Sequence, residues 1–134
     1  MVEVTIFLEA DVNPTEDEEK VRTAINNVLG NASITIKQAQ RGSTLFASAE
    51  GQDSLIKLRN LLRNDRIRDA ARRILFKSIR GKTISFYLNK QVAFAGHVSF
   101  SEETSESPLG PIHFTIETEN ASQLVEWLAE KSKD

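Results

Sequence analysis

VEVTIFLE, residues 2–9, alternates Val2, Val4, Ile6 and Leu8 with Glu3, Thr5, Phe7 and Glu9. A period of two is that of a strand with one buried face, so this segment needs a covering layer on one side. The next residues supply one. In Asn13-Pro14-Thr15-Glu16-Asp17-Glu18, Pro14 suits a first helical position and Asn13 or Thr15 can cap it. Glu16 or Glu18, three residues on, can return the capping bond. Val21, Ala24, Ile25, Val28 and Leu29 then recur at i, i+3, i+4, i+7 and i+8, and Gly30 supplies the stop. The carboxylates at 16–19 need no metal or substrate, because the helix dipole favours acids in a first turn.

Outward from this unit the chain repeats the same two patterns. Residues 33–39 and 44–49 read as weaker strands joined near Arg41-Gly42. From Asp53 to about Ser78 the apolar spacing is helical: Leu55, Leu58, Leu61 and Leu62, then Ile67, Ala70, Ala71, Ile74 and Leu75. Asn64-Asp65 interrupts it with N-cap chemistry, giving two consecutive helices or one kinked helix. Strands return at 83–88 and 92–100. A three-residue loop, Asn89-Lys90-Gln91, would pair Leu88 with Val92 and Phe86 with Phe94, keeping the apolar sets on one face. Residues 101–111 form a polar, acidic loop, and Ile112, Phe114 and Ile116 mark a last strand. Asn120 caps a final helix with Ala121, Leu124, Val125 and Leu128 inside. The expected fold is α+β: a two-layer sandwich in which four helices cover one face of a largely antiparallel sheet of about six strands. One domain spans residues 1–134.

Composition narrows the function. The chain has 134 residues, 40% hydrophobic and 27% charged, as a self-supporting globular domain requires. With no cysteine, disulfides, thiolate nucleophiles and Cys-based zinc sites are excluded. The N-terminus lacks the basic n-region and apolar run of a signal peptide, and no stretch approaches the ~18–20 apolar residues of a membrane span. A cytoplasmic protein that avoids the membrane is expected. No Walker loop, dinucleotide fingerprint or nucleophile elbow is present, so no cofactor is implied. His97 and His113 fall by parity on the polar faces of their strands, with Tyr87 beside His97 and Glu117 the nearest acid. Those four would have to converge in a pocket to make an enzyme; ordinary surface histidines are the simpler reading.

The charge distribution is more informative than its sum. Seventeen basic and 19 acidic residues give −2. Yet Lys57 to Lys82 carries ten basic residues against Asp65 and Asp69, a net +8, and the remainder holds seven basic and 17 acidic, −10. Arginine forks suit phosphate. Arg66, Arg73 and Lys77 share a helical face, and Arg59 and Arg63 lie one turn apart on the preceding helix. Asp69 can pair with Arg72 or Arg73, whereas Arg63, Arg66, Lys77, Arg80 and Lys82 have no nearby acid in sequence. Three readings compete: an anion or nucleic-acid site, a solvated or internally paired face, and a dock for an acidic protein.

The outer sheet face should show Thr5, Phe7, Thr83, Ser85, Tyr87, Ala93, Ala95, His97, Ser99, His113 and Thr115. Such a face could pair with a second copy, giving a homodimer. Alternatively Phe7 and Tyr87 could stack bases.

NPTEDEEKV at 13–21, SLIKLRNLLRNDRIRDAARRIL at 54–75, FYLNKQVAFAG at 86–96 and SFSEE…SPLGPI at 99–112 resemble the archaeal uncharacterised protein family 0201 over essentially the whole chain. That resemblance implies an archaeal cytoplasmic source and a fold similar to the large-subunit ribosomal protein that holds 5S ribosomal RNA. It also implies RNA binding, but assigns no catalytic residues. The expectation is therefore a non-enzymatic domain that binds structured RNA, ribosomal RNA included. It would use Arg59, Arg63, Arg66, Arg73, Lys77, Arg80 and Lys82, joined by Lys90 at the hairpin tip. Neutralising about five phosphates would give a log K against log salt slope of roughly −3.5 to −4.5. The alternative is a protein-interaction or assembly module.

Overall fold

The alternation in the first strand is realised along its whole length. The computed structural model, which describes residues 3–38, 40–101 and 110–131, extends β1 over Val4–Val12. Val4, Ile6, Leu8, Ala10 and Val12 are buried, while Phe7, Glu9 and Asp11 are exposed. After α1 (Glu18–Val28), β2 (Ser33–Gln38) and β3 (Ser43–Glu50) form a hairpin whose turn is closed by Gly42 at φ 72°. Ala39, the last residue of the predicted first strand of that pair, lies outside the described residues. A 3₁₀ turn, Gln52–Leu55, leads into α2 (Ile56–Asn64) and α3 (Arg68–Lys77). Then come β4 (Ile79–Arg80), β5 (Thr83–Asn89), α4 (Lys90–Phe94), β6 (Phe100–Ser101), β7 (Pro111–Thr118) and α5 (Ala121–Leu128).

All strand pairs are antiparallel, in the order β2-β3-β1-β7-β5-β4, with β6 also on the β5 edge. The architecture is the expected α+β sandwich, with seven strands and five helices among the described residues in place of six and four; the additional elements are the two-residue β4 and the short α4. At its centre Phe114 is fully buried between its in-register neighbours Leu8 and Phe86. The Phe86 and Phe114 rings stack 4.9 Å apart. Truncating Phe114 to alanine at such a site costs about 3–5 kcal/mol. Val21, Ala24, Ile25 and Val28 of α1 and Ala121, Leu124, Val125 and Leu128 of α5 complete the same core, as their spacing requires.

Four local expectations are corrected. Residues 13–16 form a turn before α1: Glu16 Oε1 accepts from Asn13 N at 2.9 Å, but the helix is capped by Asp17, which accepts from Glu19 N. Asp65 ends α2 and does not cap α3; Ile67 holds the α3 N-cap position and offers no side-chain acceptor. Asn120 holds the N-cap position of α5 without a side-chain capping bond. The largest change falls at 89–98. Asn89 Oδ1 accepts from Val92 N, and this cap starts α4 where a hairpin loop was expected. Phe94 then points to solvent, 42% exposed, and the returning strand shrinks to Phe100–Ser101 opposite Leu88 and Tyr87. Most of the predicted 101–111 loop, residues 102–109, lies outside the described residues.

Candidate nucleic-acid interface

The ten cations of the 57–82 segment divide by what surrounds them. Several are tied to the fold. Arg59 lies over the Trp127 ring, 5.3 Å from its centre, and donates to Trp127 O at 2.9 Å and to Glu130 at 3.2 Å. Arg72 forms a two-pronged pair with Glu126, with Nη1 2.7 Å from Oε2, and lies over Phe76. Hydrogen bonding to Arg72 holds the Glu126 carboxyl below its ordinary pKa, and the same bond raises that of Arg72. Lys57 donates to Asn26 O, and Lys82 pairs with Glu119 at 3.0 Å.

Arg68 is half-buried at the start of α3, and the other five face outward. Arg73 and Lys77 lie one turn apart on the exposed ridge of α3. Arg66 is exposed in the α2–α3 corner, where its φ of 57° turns the chain. Among the described residues none of the three has an acidic group within 4.0 Å. Arg63, about half exposed, is 3.8 Å from Glu130, and exposed Arg80 donates only to the carbonyls of Lys77 and Ile79. Four or five exposed cations thus follow α3 from its N-terminal corner to the strand after it. The positive end of the α3 dipole lies at the same corner.

Lys90 does not belong to this group. Its side chain is 3% exposed, and its ammonium donates to Glu16 Oε1 at 2.9 Å and to Asp11 O. It lines a cleft of about 460 Å³ with Glu16, Asp17, Lys20 and Phe94. No hairpin tip exists for it to occupy, so the expected phosphate contact is withdrawn.

The histidines also separate. His97 follows α4 in a loop, off the sheet, with Nδ1 2.9 Å from Asp65 Oδ1; Asp65 Oδ2 accepts from Val98 N. Burial raises the Asp65 pKa, but the bonds from His97 and Val98 outweigh it and the net shift is downward. His113 stays on the outer sheet face, 2.7 Å from Ser85 Oγ and stacked on Tyr87. Glu117 is four residues along β7 from His113, about 13 Å by strand rise. Tyr87, His97, His113 and Glu117 do not form one site. Ala93, Ala95 and Ser99 leave the outer face with the lost strand. Among the described residues no group of three His, Asp or Glu side chains could hold a metal ion, and no helix is long and apolar enough to cross a membrane.

Glu119, Glu126 and Glu130 were the partners that sequence reading missed. Glu126 lies in the last helix and Glu130 four residues on, just past its end, and that helical spacing was the available signal.

A family model whose description is RNA binding matches residues 5–118. A UPF0201 protein of Sulfolobus acidocaldarius is 44% identical over 127 residues, covering 95% of this chain and 88% of that one. A UPF0201 protein of Pyrobaculum islandicum is 45% identical over 123 residues, covering 91% and 86%. The crystal structure of the UPF0201 protein from Methanococcus jannaschii superposes with a TM-score of 0.85 at 31% identity, covering 96% of this chain and 95% of that one. The chain belongs to the UPF0201 family.

Proposed function

We propose that this chain is a non-enzymatic RNA-binding protein whose ridge of Arg63, Arg66, Arg73, Lys77 and Arg80 grips the phosphate backbone of structured RNA. What supports the reading is the exposure of Arg66, Arg73 and Lys77 without acidic partners among the described residues, while Arg59, Arg72 and Lys82 of the same segment are paired with acids. Uncompensated like charges along one helix cost stability, and a phosphate backbone relieves that repulsion. Acids predominate elsewhere, so phosphate is attracted to one side of the domain and repelled from the rest. Contacts of this type position RNA and give little sequence discrimination.

With Arg59, Lys82 and Lys90 engaged internally, about four phosphates are neutralised, and log K falls with log salt at a slope of about −3 to −3.5. The test is titration of a labelled RNA hairpin across a salt series, with the parent and the Arg66→Glu/Arg73→Glu/Lys77→Glu variant. The variant loses most of the affinity and flattens the slope. Equal binding by both proteins removes the ridge from consideration.

A further inference from the structure

The sheet face turned away from the helices carries a second pattern. Register places Phe46 opposite Glu9, Glu9 opposite His113, and His113 opposite Tyr87, a single row across β3, β1, β7 and β5. Phe7 lies two residues from Glu9 on the same face of β1. Phe7 is 42% exposed and Phe46 36%. The Tyr87 and His113 rings stack at 4.4 Å with 16° between their planes, and Ser85 Oγ holds the imidazole from the side. Phe7 and Phe46 are exposed, with the half-buried Tyr87–His113 stack in the same row as Phe46.

Carboxylates surround it. Glu9, Asp11, Glu50 and Glu117 are exposed on this face. Among the described residues none of the four has a cation within 4.0 Å. The strand cations on the face, Lys37 and Arg80, lie on the outermost strands β2 and β4, and Lys82, paired with Glu119, shares a cleft with Thr5, Thr83 and Glu117 at one end of the face. Lys37 already places its ammonium 6.0 Å from the centre of the Phe46 ring, so the chain itself uses one of these rings as a platform for positive charge.

We propose that this face docks a lysine- and arginine-rich protein segment. Its cationic side chains lie on the exposed rings of Phe7 and Phe46, between the carboxylates of Glu9 and Glu117. Aromatic faces attract guanidinium and ammonium groups, and the unpaired acids fix the sign of the partner. An RNA strand here would bring phosphates onto four carboxylates. A second copy pairing through the same face would place the carboxylates of both copies in one interface. The surface lies across the sheet from Arg66, Arg73 and Lys77, with Arg80 at the edge between the two, and it goes beyond the RNA reading, so either can fail without the other.

The test is fluorescence anisotropy with a fluorescein-labelled peptide alternating Arg and Ser, against a control alternating Glu and Ser. The arginine peptide binds, more weakly as salt rises, and the glutamate peptide does not. Glu9→Gln/Glu117→Gln weakens binding by about tenfold or more, as does Phe7→Ser/Phe46→Ser, whereas Arg73→Glu/Lys77→Glu leaves it intact. Equal binding by Glu9→Gln/Glu117→Gln, whose exposed amides preserve the fold, overturns the proposal. So does self-association in sedimentation that Phe7→Ser/Phe46→Ser abolishes, or an RNA hairpin retained by the parent and lost by that variant.

Discussion

The ammonium of Lys90 lies 2.9 Å from Glu16 Oε1, with the two side chains 3% and 12% exposed. This pair ties the start of α4 to the turn before α1, and the bond from Lys90 to Asp11 O adds the end of β1. Removing one partner strands a charge in the interior. Lys90→Met therefore destabilises the protein by about 3–5 kcal/mol, and Lys90→Met/Glu16→Leu recovers much of that loss. Urea unfolding of both variants measures the difference; a double variant no better than the single one contradicts the account.

The same residue explains where sequence reading stopped. Parity located β1, β5 and β7, and apolar spacing located α1 and α5, because each buries one continuous face. At 89–98 parity misled: Val92, Phe94 and Val98 alternate as a strand would. The competing signal was Asn89, a good N-cap, followed by a lysine whose burial depends on Glu16, 74 residues earlier in sequence. A long-range ion pair leaves no periodic trace. For the same reason the +8 segment was legible as a sum but not as a surface, since the neutralising Glu126 and Glu130 come from another helix and the residues after it.

Asp65 links the basic corner to the loop after α4, and its carboxyl titrates below the ordinary aspartate value of 3.8. A depressed folded-state pKa adds stability that is present above the unfolded value and is lost as pH falls through the folded one. Between pH 5 and pH 3 the parent accordingly loses more stability than Asp65→Asn, which lacks the titrating group. Urea midpoints across that range provide the measurement, and parallel curves would dismiss the effect.

Two glycines with the same backbone sign should respond differently to alanine. At Gly42, φ 72°, an added Cβ would come 2.2 Å from Val12 O, so the hairpin must shift away from β1. At Gly81, φ 62°, nothing lies within 4 Å, and only the left-handed backbone resists. Gly81→Ala costs about 1–2 kcal/mol, and Gly42→Ala costs more. Thermal unfolding of the two variants ranks them; the reverse order would mean that the turn yields more easily than its geometry implies.

Arg59 and Arg73 lie in one basic segment but have separate tasks, and exchanging the measurements reveals it. Arg59 bonds to Trp127 O and Glu130 and covers the indole, so Arg59→Ala removes packing as well as charge. It destabilises the fold by about 1–2 kcal/mol and leaves the salt slope of RNA binding unchanged. Arg73, exposed and without an acid within 4.0 Å among the described residues, has no such anchor. Arg73→Ala leaves stability within about 0.5 kcal/mol and reduces the slope by about 0.7–0.9, one phosphate contact. Parallel urea and RNA titrations of the two variants therefore move opposite quantities. If Arg59→Ala flattened the slope while Arg73→Ala did not, phosphate would be held at the α2–α5 seam, and the ridge along α3 would be a solvated face.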